Sequence, residues 1–209
     1  MKSETLELEG PAGALEALLD RPADAPGAVG LVCHPHPLFQ GSMHNKVAYT
    51  LARAFTDLGA IALRFNFRGV GKSVGDYAHG RGETEDALAA AAWLHAQYPQ
   101  LPLWLAGFSF GAAVALGAAP RLTPDVLVTV APPVERPGWP AFSHPHCPWL
   151  LLQGADDDVV DPQAVLAWAN SLTPPPEIVR FPGVGHFFHG HLNELRSAVV
   201  ERLPLIMQG

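Results

Sequence analysis

The chain has 209 residues, 48% hydrophobic and 16% charged, a balance that suits one globular domain over residues 1–209 with a sizeable core. Its formal net charge is -7 and its 13 Lys and Arg form no run, which argues against a nucleic-acid partner or an anionic membrane surface. There is no apolar run of about twenty residues to span a membrane and no signal-peptide core near Met1; with two cysteines, Cys33 and Cys147, making no disulfide framework, a cytoplasmic location is the default expectation.

Thr5 to Glu9 alternates apolar and polar residues and reads as an edge strand. Gly10-Pro11-Ala12-Gly13 is a turn, and Ala14 to Leu19 returns as a second strand, although its Leu, Glu and Ala content also suits a short helix. A Pro-rich loop leads to Ala28–Cys33, whose continuous apolar run marks a buried strand. That strand ends in His34-Pro35-His36-Pro37-Leu38-Phe39-Gln40-Gly41. Ligands of parallel sheets bind at the carboxyl ends of strands, so this loop is expected to border a site. Pro35 and Pro37 have no N–H, which leaves His36 and Leu38 as the nearest amides able to donate to an oxyanion; His36 is favoured.

Helical spacing of Val47, Leu51, Ala54, Phe55 and Leu58 predicts a helix over 42–58 that stops at Gly59. A strand, Ile61–Phe65, follows. Gly71-Lys72-Ser73 invites a phosphate-loop reading, but Asn66 stands where that motif needs its first glycine, so nucleotide binding is rejected. Glu83 to Gln97 is an Ala-rich helix, opened by Thr84 or a nearby acidic residue. Three buried strands are expected at 103–106, 125–131 and 149–153, a helix at about 162–172, a last strand at 177–181, and a closing helix with Leu192, Leu195, Val199 and Leu203 on one stripe. Strands alternating with helices imply a mostly parallel sheet covered on both faces, with the first hairpin as an antiparallel edge.

Gly107-Phe108-Ser109-Phe110-Gly111 sits between an apolar strand and a helix of small residues. A strand turning sharply into a helix at a serine is a nucleophile elbow. Side chains at Gly107 and Gly111 would collide where the two elements approach. The turn exposes the serine hydroxyl and puts the Phe110 N–H at a helix start, aimed at an oxyanion. Serine needs a base, and the base an orienting acid. Asp157 follows the strand at 149–153, and His186 follows the last strand. Asp158 is the second choice of acid, and Asp161 before Pro162 fits a helix cap. His189 and His191 compete with His186, but Gly183-Val184-Gly185 frees the backbone to place His186 at the strand end. Ten histidines raise a metal site as a rival; no His-Glu-x-x-His occurs and no metal is expected.

Four motifs in order now carry a resemblance: Cys-His-Pro-His-Pro-Leu-Phe at 33–39, Phe-Asn-Phe-Arg-Gly-Val-Gly-Lys-Ser at 65–73, Gly-Glu-Thr-Glu-Asp-Ala at 82–87, and Gly-x-Ser-x-Gly at 107–111. Over nearly its whole length the chain resembles an α/β-hydrolase, and more narrowly the small bacterial serine hydrolases of that superfamily that carry these motifs. It is more distantly similar to dienelactone hydrolases, which have cysteine at the elbow, and to prolyl-oligopeptidase catalytic domains. The resemblance implies Ser109 as nucleophile, an acid near Asp157, His186 as base, an oxyanion hole from Phe110 and the 34–39 loop, and no cofactor.

The span before Pro148 is too short and too Pro-rich for the helical lid that many such enzymes insert, so an open, shallow site without a cap domain is expected. Leu38, Phe39, Phe108 and Phe187, with Phe110 and Trp139, are the candidates to line it, a surface suited to small acyl esters. The reading is a serine hydrolase of carboxylic esters acting on small molecules. A peptidase or amidase of the prolyl-oligopeptidase type, or a non-catalytic binding protein on the same scaffold, are the alternatives.

Overall fold

The computed structural model describes residues 3–135 and 144–208. β1 (Ser3–Gly10) and β2 (Gly13–Asp20) form an antiparallel hairpin. Leu15, Ala17 and Leu19 are buried with less buried residues between them, a period of two that makes residues 14–19 strand and not helix. The remaining strands are β3 (Ala28–Cys33), β4 (Ala60–Phe65), β5 (Leu103–Phe108), β6 (Val126–Val130), β7 (Trp149–Gly154) and β8 (Glu177–Phe181). Among the described residues, five α-helices connect or follow them: α1 (Lys46–Asp57), α2 (Arg81–Gln97), α3 (Phe110–Leu122), α4 (Pro162–Ser171) and α5 (Leu192–Ile206).

The strands make one sheet in the order β1-β2-β4-β3-β5-β6-β7-β8. Every pair from β4 to β8 in that order is parallel, and β2 joins β4 antiparallel. Six-residue strands such as β3, β4 and β7 are buried along their whole length, because both faces are covered. On one face Leu31, Leu63, Leu105, Leu127 and Leu151 pack with α2, α3 and α4. On the other, Val32, Ala62, Ala106, Val128 and Leu152 pack with α1 and α5, through residues such as Leu51, Phe55, Leu195 and Val199.

Two helix starts differ from the pattern in the sequence. α1 begins at Lys46 and not at 42, because the Asn45 side chain accepts the N–H groups of Val47 and Ala48 and so caps the helix there. α2 begins at Arg81, before the expected Glu83; Glu83 reaches back to the N–H groups of Gly80 and Ala78. Among the described residues no helix lies between β6 and β7, and that connection is too short to hold a cap domain. No described helix is long and apolar enough to cross a membrane. Cys33 is buried, and burial pushes its thiol pKa up, whereas Cys147 is only partly buried.

Candidate active site

β5 runs into α3 through Ser109, whose φ of 53° and ψ of -119° lie in a region that side-chain-bearing residues rarely adopt. The glycines on either side make that turn possible by leaving no Cβ. One at Gly107 would stand 2.1 Å from the Gly111 carbonyl oxygen, and one at Gly111 would stand 2.2 Å from the carbonyl oxygen of Cys33. The close approach is therefore between α3 and the end of β3 as well as within the turn. The Ser109 N–H is tied to the Val130 carbonyl at 2.8 Å, which anchors the strained residue to β6.

The loops after β5, β7 and β8 open on one rim of the sheet. There Ser109 Oγ lies 3.1 Å from His186 Nε2, and His186 Nδ1 lies 2.8 Å from Asp157 Oδ2. All three residues are at most 9% exposed. The other carboxylate oxygen of Asp157 accepts the N–H groups of Val159 and Val160, at 2.9 and 2.8 Å. Gln153 Nε2 donates to Oδ2 at 3.1 Å. Burial pushes the Asp157 carboxyl upward, but hydrogen bonds from His186 and the Val160 and Val159 amides outweigh it and hold the pKa below the ordinary 3.8. Asp156 and Asp158 are exposed, and Asp161 caps α4 by accepting the Gln163 N–H. His189 is exposed and His191 pairs with Glu194, so neither competes for Asp157.

Phe110 is the first residue of α3, a position whose N–H has no acceptor within the helix. In the loop after β3, the Leu38 N–H donates to His36 Nδ1 at 3.2 Å. His36 itself lines a cleft of about 370 Å³ together with Ser109, Phe39, Pro133, Glu135 and Val159.

The expected apolar lining divides. Phe39 is 79% exposed and lines the cleft; Leu38 is 65% exposed beside it. Phe187 is 46% exposed and packs edge-on against the His186 ring. Phe108 is a correction: it is fully buried and its ring lies 4.9 Å from the His186 ring, centroid to centroid. Strand alternation turns it into the core formed with α1 and α5, so it supports the imidazole and does not line the cleft. Phe110 is 6% exposed, and Trp139 lies outside the described residues. Among the described residues, no three His, Cys, Asp or Glu side chains converge as metal ligands would.

Two motifs that the sequence leaves without a role turn out to brace this rim. Arg68 makes a bidentate pair with Asp86 of α2, and a Cβ at Gly82 would collide with the Arg68 guanidinium. Asn66 holds the Met43 N–H and Glu16, and Ser73 holds the Asn66 carbonyl. The Phe67 N–H donates to His34 Nε2 at 3.0 Å, joining the 65–73 turn to the loop after β3. Only the mixture of buried polar types in these motifs hints at such bracing.

A mostly parallel sheet with helices on both faces, and a strained serine between β5 and α3 without an inserted cap, define a lidless α/β serine hydrolase. The chain belongs to the family described as X-Pro dipeptidyl-peptidase (S15 family), whose model matches residues 13–139. It is 35% identical over 208 residues to an uncharacterised protein of Rickettsia prowazekii, covering 94% of this chain and 87% of the relative. Among solved structures it is similar to XC6422 from Xanthomonas campestris, described as an α/β serine hydrolase without lid, with 46% identity, 95% and 92% of the two chains covered and a TM-score of 0.91. An α/β serine hydrolase homologue from Coxiella burnetii gives 44% identity, 97% and 98% coverage and a TM-score of 0.93.

Proposed function

We propose that the protein hydrolyses small carboxylic esters through Ser109, His186 and Asp157 acting as a catalytic triad. The observation that carries this reading is the unbroken line from Ser109 Oγ through His186 to Asp157 Oδ2, with bonds of 3.1 and 2.8 Å. His186 Nε2 takes the Ser109 proton as Oγ attacks the ester carbonyl. Asp157 keeps the Nδ1 proton in place and stabilises the imidazolium that forms. The tetrahedral oxygen is held by the Phe110 N–H at the start of α3 and by the His36 N–H on the facing side of the cleft. His186 then returns the proton to the leaving alcohol, and water releases the acyl group by the reverse sequence. No cofactor enters the scheme. A cleft of about 370 Å³ bounded by Phe39 and Val159 suits a short acyl ester better than a long lipid.

The test is labelling with a fluorophosphonate probe, read by intact mass and peptide mapping, beside turnover of p-nitrophenyl acetate. One adduct on Ser109 is expected, and Ser109→Ala should lose the adduct and about 10⁴-fold or more in kcat. Full activity in Ser109→Ala would rule out the scheme. Absence of any adduct on folded protein would instead favour a binding protein on a hydrolase scaffold.

A second reading, cleavage of peptide or amide bonds, is favoured by the S15 family match over residues 13–139. X-Pro anilides against matched esters separate the two. Faster turnover of the anilide, still dependent on Ser109, would move the substrate class to peptides.

A further inference from the structure

Two imidazoles in the loop after β3 take no part in the scheme above, and both accept hydrogen bonds from backbone amides. His34 is fully buried. Its Nε2 accepts the Phe67 N–H at 3.0 Å and its Nδ1 lies 2.6 Å from the Pro35 carbonyl oxygen. An amide can only donate and a carbonyl can only accept, so the His34 proton sits on Nδ1. His36 has the opposite tautomer. Its Nδ1 accepts the Leu38 N–H at 3.2 Å, so a neutral ring carries its proton on Nε2, 3.1 Å from the Tyr77 hydroxyl oxygen.

The rest of the loop also closes on His36. Its carbonyl oxygen accepts the N–H groups of Phe39 and Gly41, at 3.1 and 3.0 Å. Its ring meets Phe39, Tyr77 and Phe110 at centroid distances of 4.8, 5.0 and 4.8 Å. Phe110 is the residue whose amide opens α3 beside the nucleophile. His36 also stands where a capping residue stands, one place before the short 3-10 turn Pro37–Phe39, with its side chain bonded two residues ahead. Asparagine and aspartate ordinarily fill that role.

We propose that His36 is a positioning residue for the oxyanion loop: its Nδ1 lone pair holds the Leu38 amide while its ring packs on Phe110, so one side chain sets the spacing between the loop and the start of α3. The inference rests on Ser109 being the nucleophile of the proposed reaction. It goes further by giving the imidazole a task separate from that of its backbone N–H. If the ring served only to fill space, its volume would matter and the position of its acceptor atom would not.

Three substitutions separate these roles in the full chain. His36→Asn puts an amide oxygen close to where Nδ1 stands and keeps the cap. His36→Gln moves the polar atoms one bond outward, toward Tyr77, and leaves the Leu38 amide without its acceptor. His36→Leu keeps much of the bulk and removes both nitrogens. With p-nitrophenyl acetate, His36→Asn should keep kcat within about threefold of wild type. His36→Gln and His36→Leu should lose about 30- to 100-fold in kcat with little change in KM, approaching the loss of an oxyanion donor. Equal losses in Asn and Leu, or wild-type rates in Gln and Leu, would overturn the inference. Imidazole ¹⁵N NMR of the wild type needs no variant to fold: His36 should show an unprotonated Nδ1 and a protonated Nε2, and the reverse would overturn it. Ser109→Ala run in parallel keeps the two claims apart. If that variant retains turnover, the hydrolase scheme fails; if it is inactive and Asn does not rescue, only the His36 assignment fails.

Discussion

At the scale of single residues, Asp157 shows why a carboxylate, and not merely a polar side chain, stands after β7. It receives two amides on one oxygen and both His186 Nδ1 and Gln153 on the other. An asparagine would aim its oxygen at the Val159 and Val160 amides and turn its NH₂ group toward His186. His186 Nδ1 would then become the acceptor and its proton would move to Nε2, facing Ser109, where a base needs a lone pair. Asp157→Asn is therefore expected to lower kcat by about 10⁴-fold while leaving KM and the far-UV circular dichroism near wild type. A rate within tenfold of wild type would show that His186 takes its tautomer from elsewhere. The choice among three adjacent aspartates is only partly legible in the sequence. Distance from Gly154 favours Asp157, whereas the amides of Val159 and Val160, which hold the carboxylate, appear only once the turn is folded.

At the scale of elements, what is legible depends on whether periodicity or a particular side chain sets the boundary. Buried strands and the glycines of the elbow follow from apolar runs and from the absence of room for Cβ, so β3, β5 and β7 stand out in the sequence. The start of α1 follows from Asn45 and that of α2 from the return of Glu83, and neither is a periodic signal. Phe108 is misread for a related reason: its place beside Ser109 suggests the cleft, but alternation in β5 sends it into the core. The sequence places the hairpin as an antiparallel edge, but it is silent on which strand the hairpin joins and on what holds that junction. There Asp20 of β2 and Arg64 of β4 form an ion pair at 2.8 Å, with side chains 0% and 3% exposed. Arg64 also donates to the Met43 carbonyl. Arg64→Met keeps the aliphatic stem but strands a buried carboxylate, and should cost about 3–5 kcal/mol in urea denaturation near pH 7. A loss below about 1 kcal/mol would mean that Asp20 is served by Ser3 or by water.

At the scale of the whole molecule, the β6–β7 connection is too short to hold a cap domain, and no lid is expected to have to open before an ester enters. Rates on a sparingly soluble ester are expected to follow one hyperbola through its aggregation concentration, and a jump at that point would contradict an open site. The pH response is also a property of the whole fold, because His34 ties β3 to the 65–73 turn next to α3. Burial pushes its pKa down from 6.5 to about 3, so the folded protein keeps it neutral while the unfolded chain protonates it below 6.5. The unfolded state then binds the extra proton, and stability must fall as pH drops through that window. The His34 contribution is complete above 6.5, declines by at most about 1.4 kcal/mol per pH unit below it, and levels off near 3. Asp157 acts lower down: its contribution is complete above 3.8 and fades only as pH falls toward its lower folded value. His34→Gln offers the Phe67 amide a neutral acceptor that does not titrate. Between pH 7.5 and 5.5, wild type should therefore lose about 1–2 kcal/mol more than the variant in urea denaturation. Other titrating groups cancel in that comparison. Parallel losses in the two proteins would mean that the His34 proton is bound equally in the folded and unfolded states.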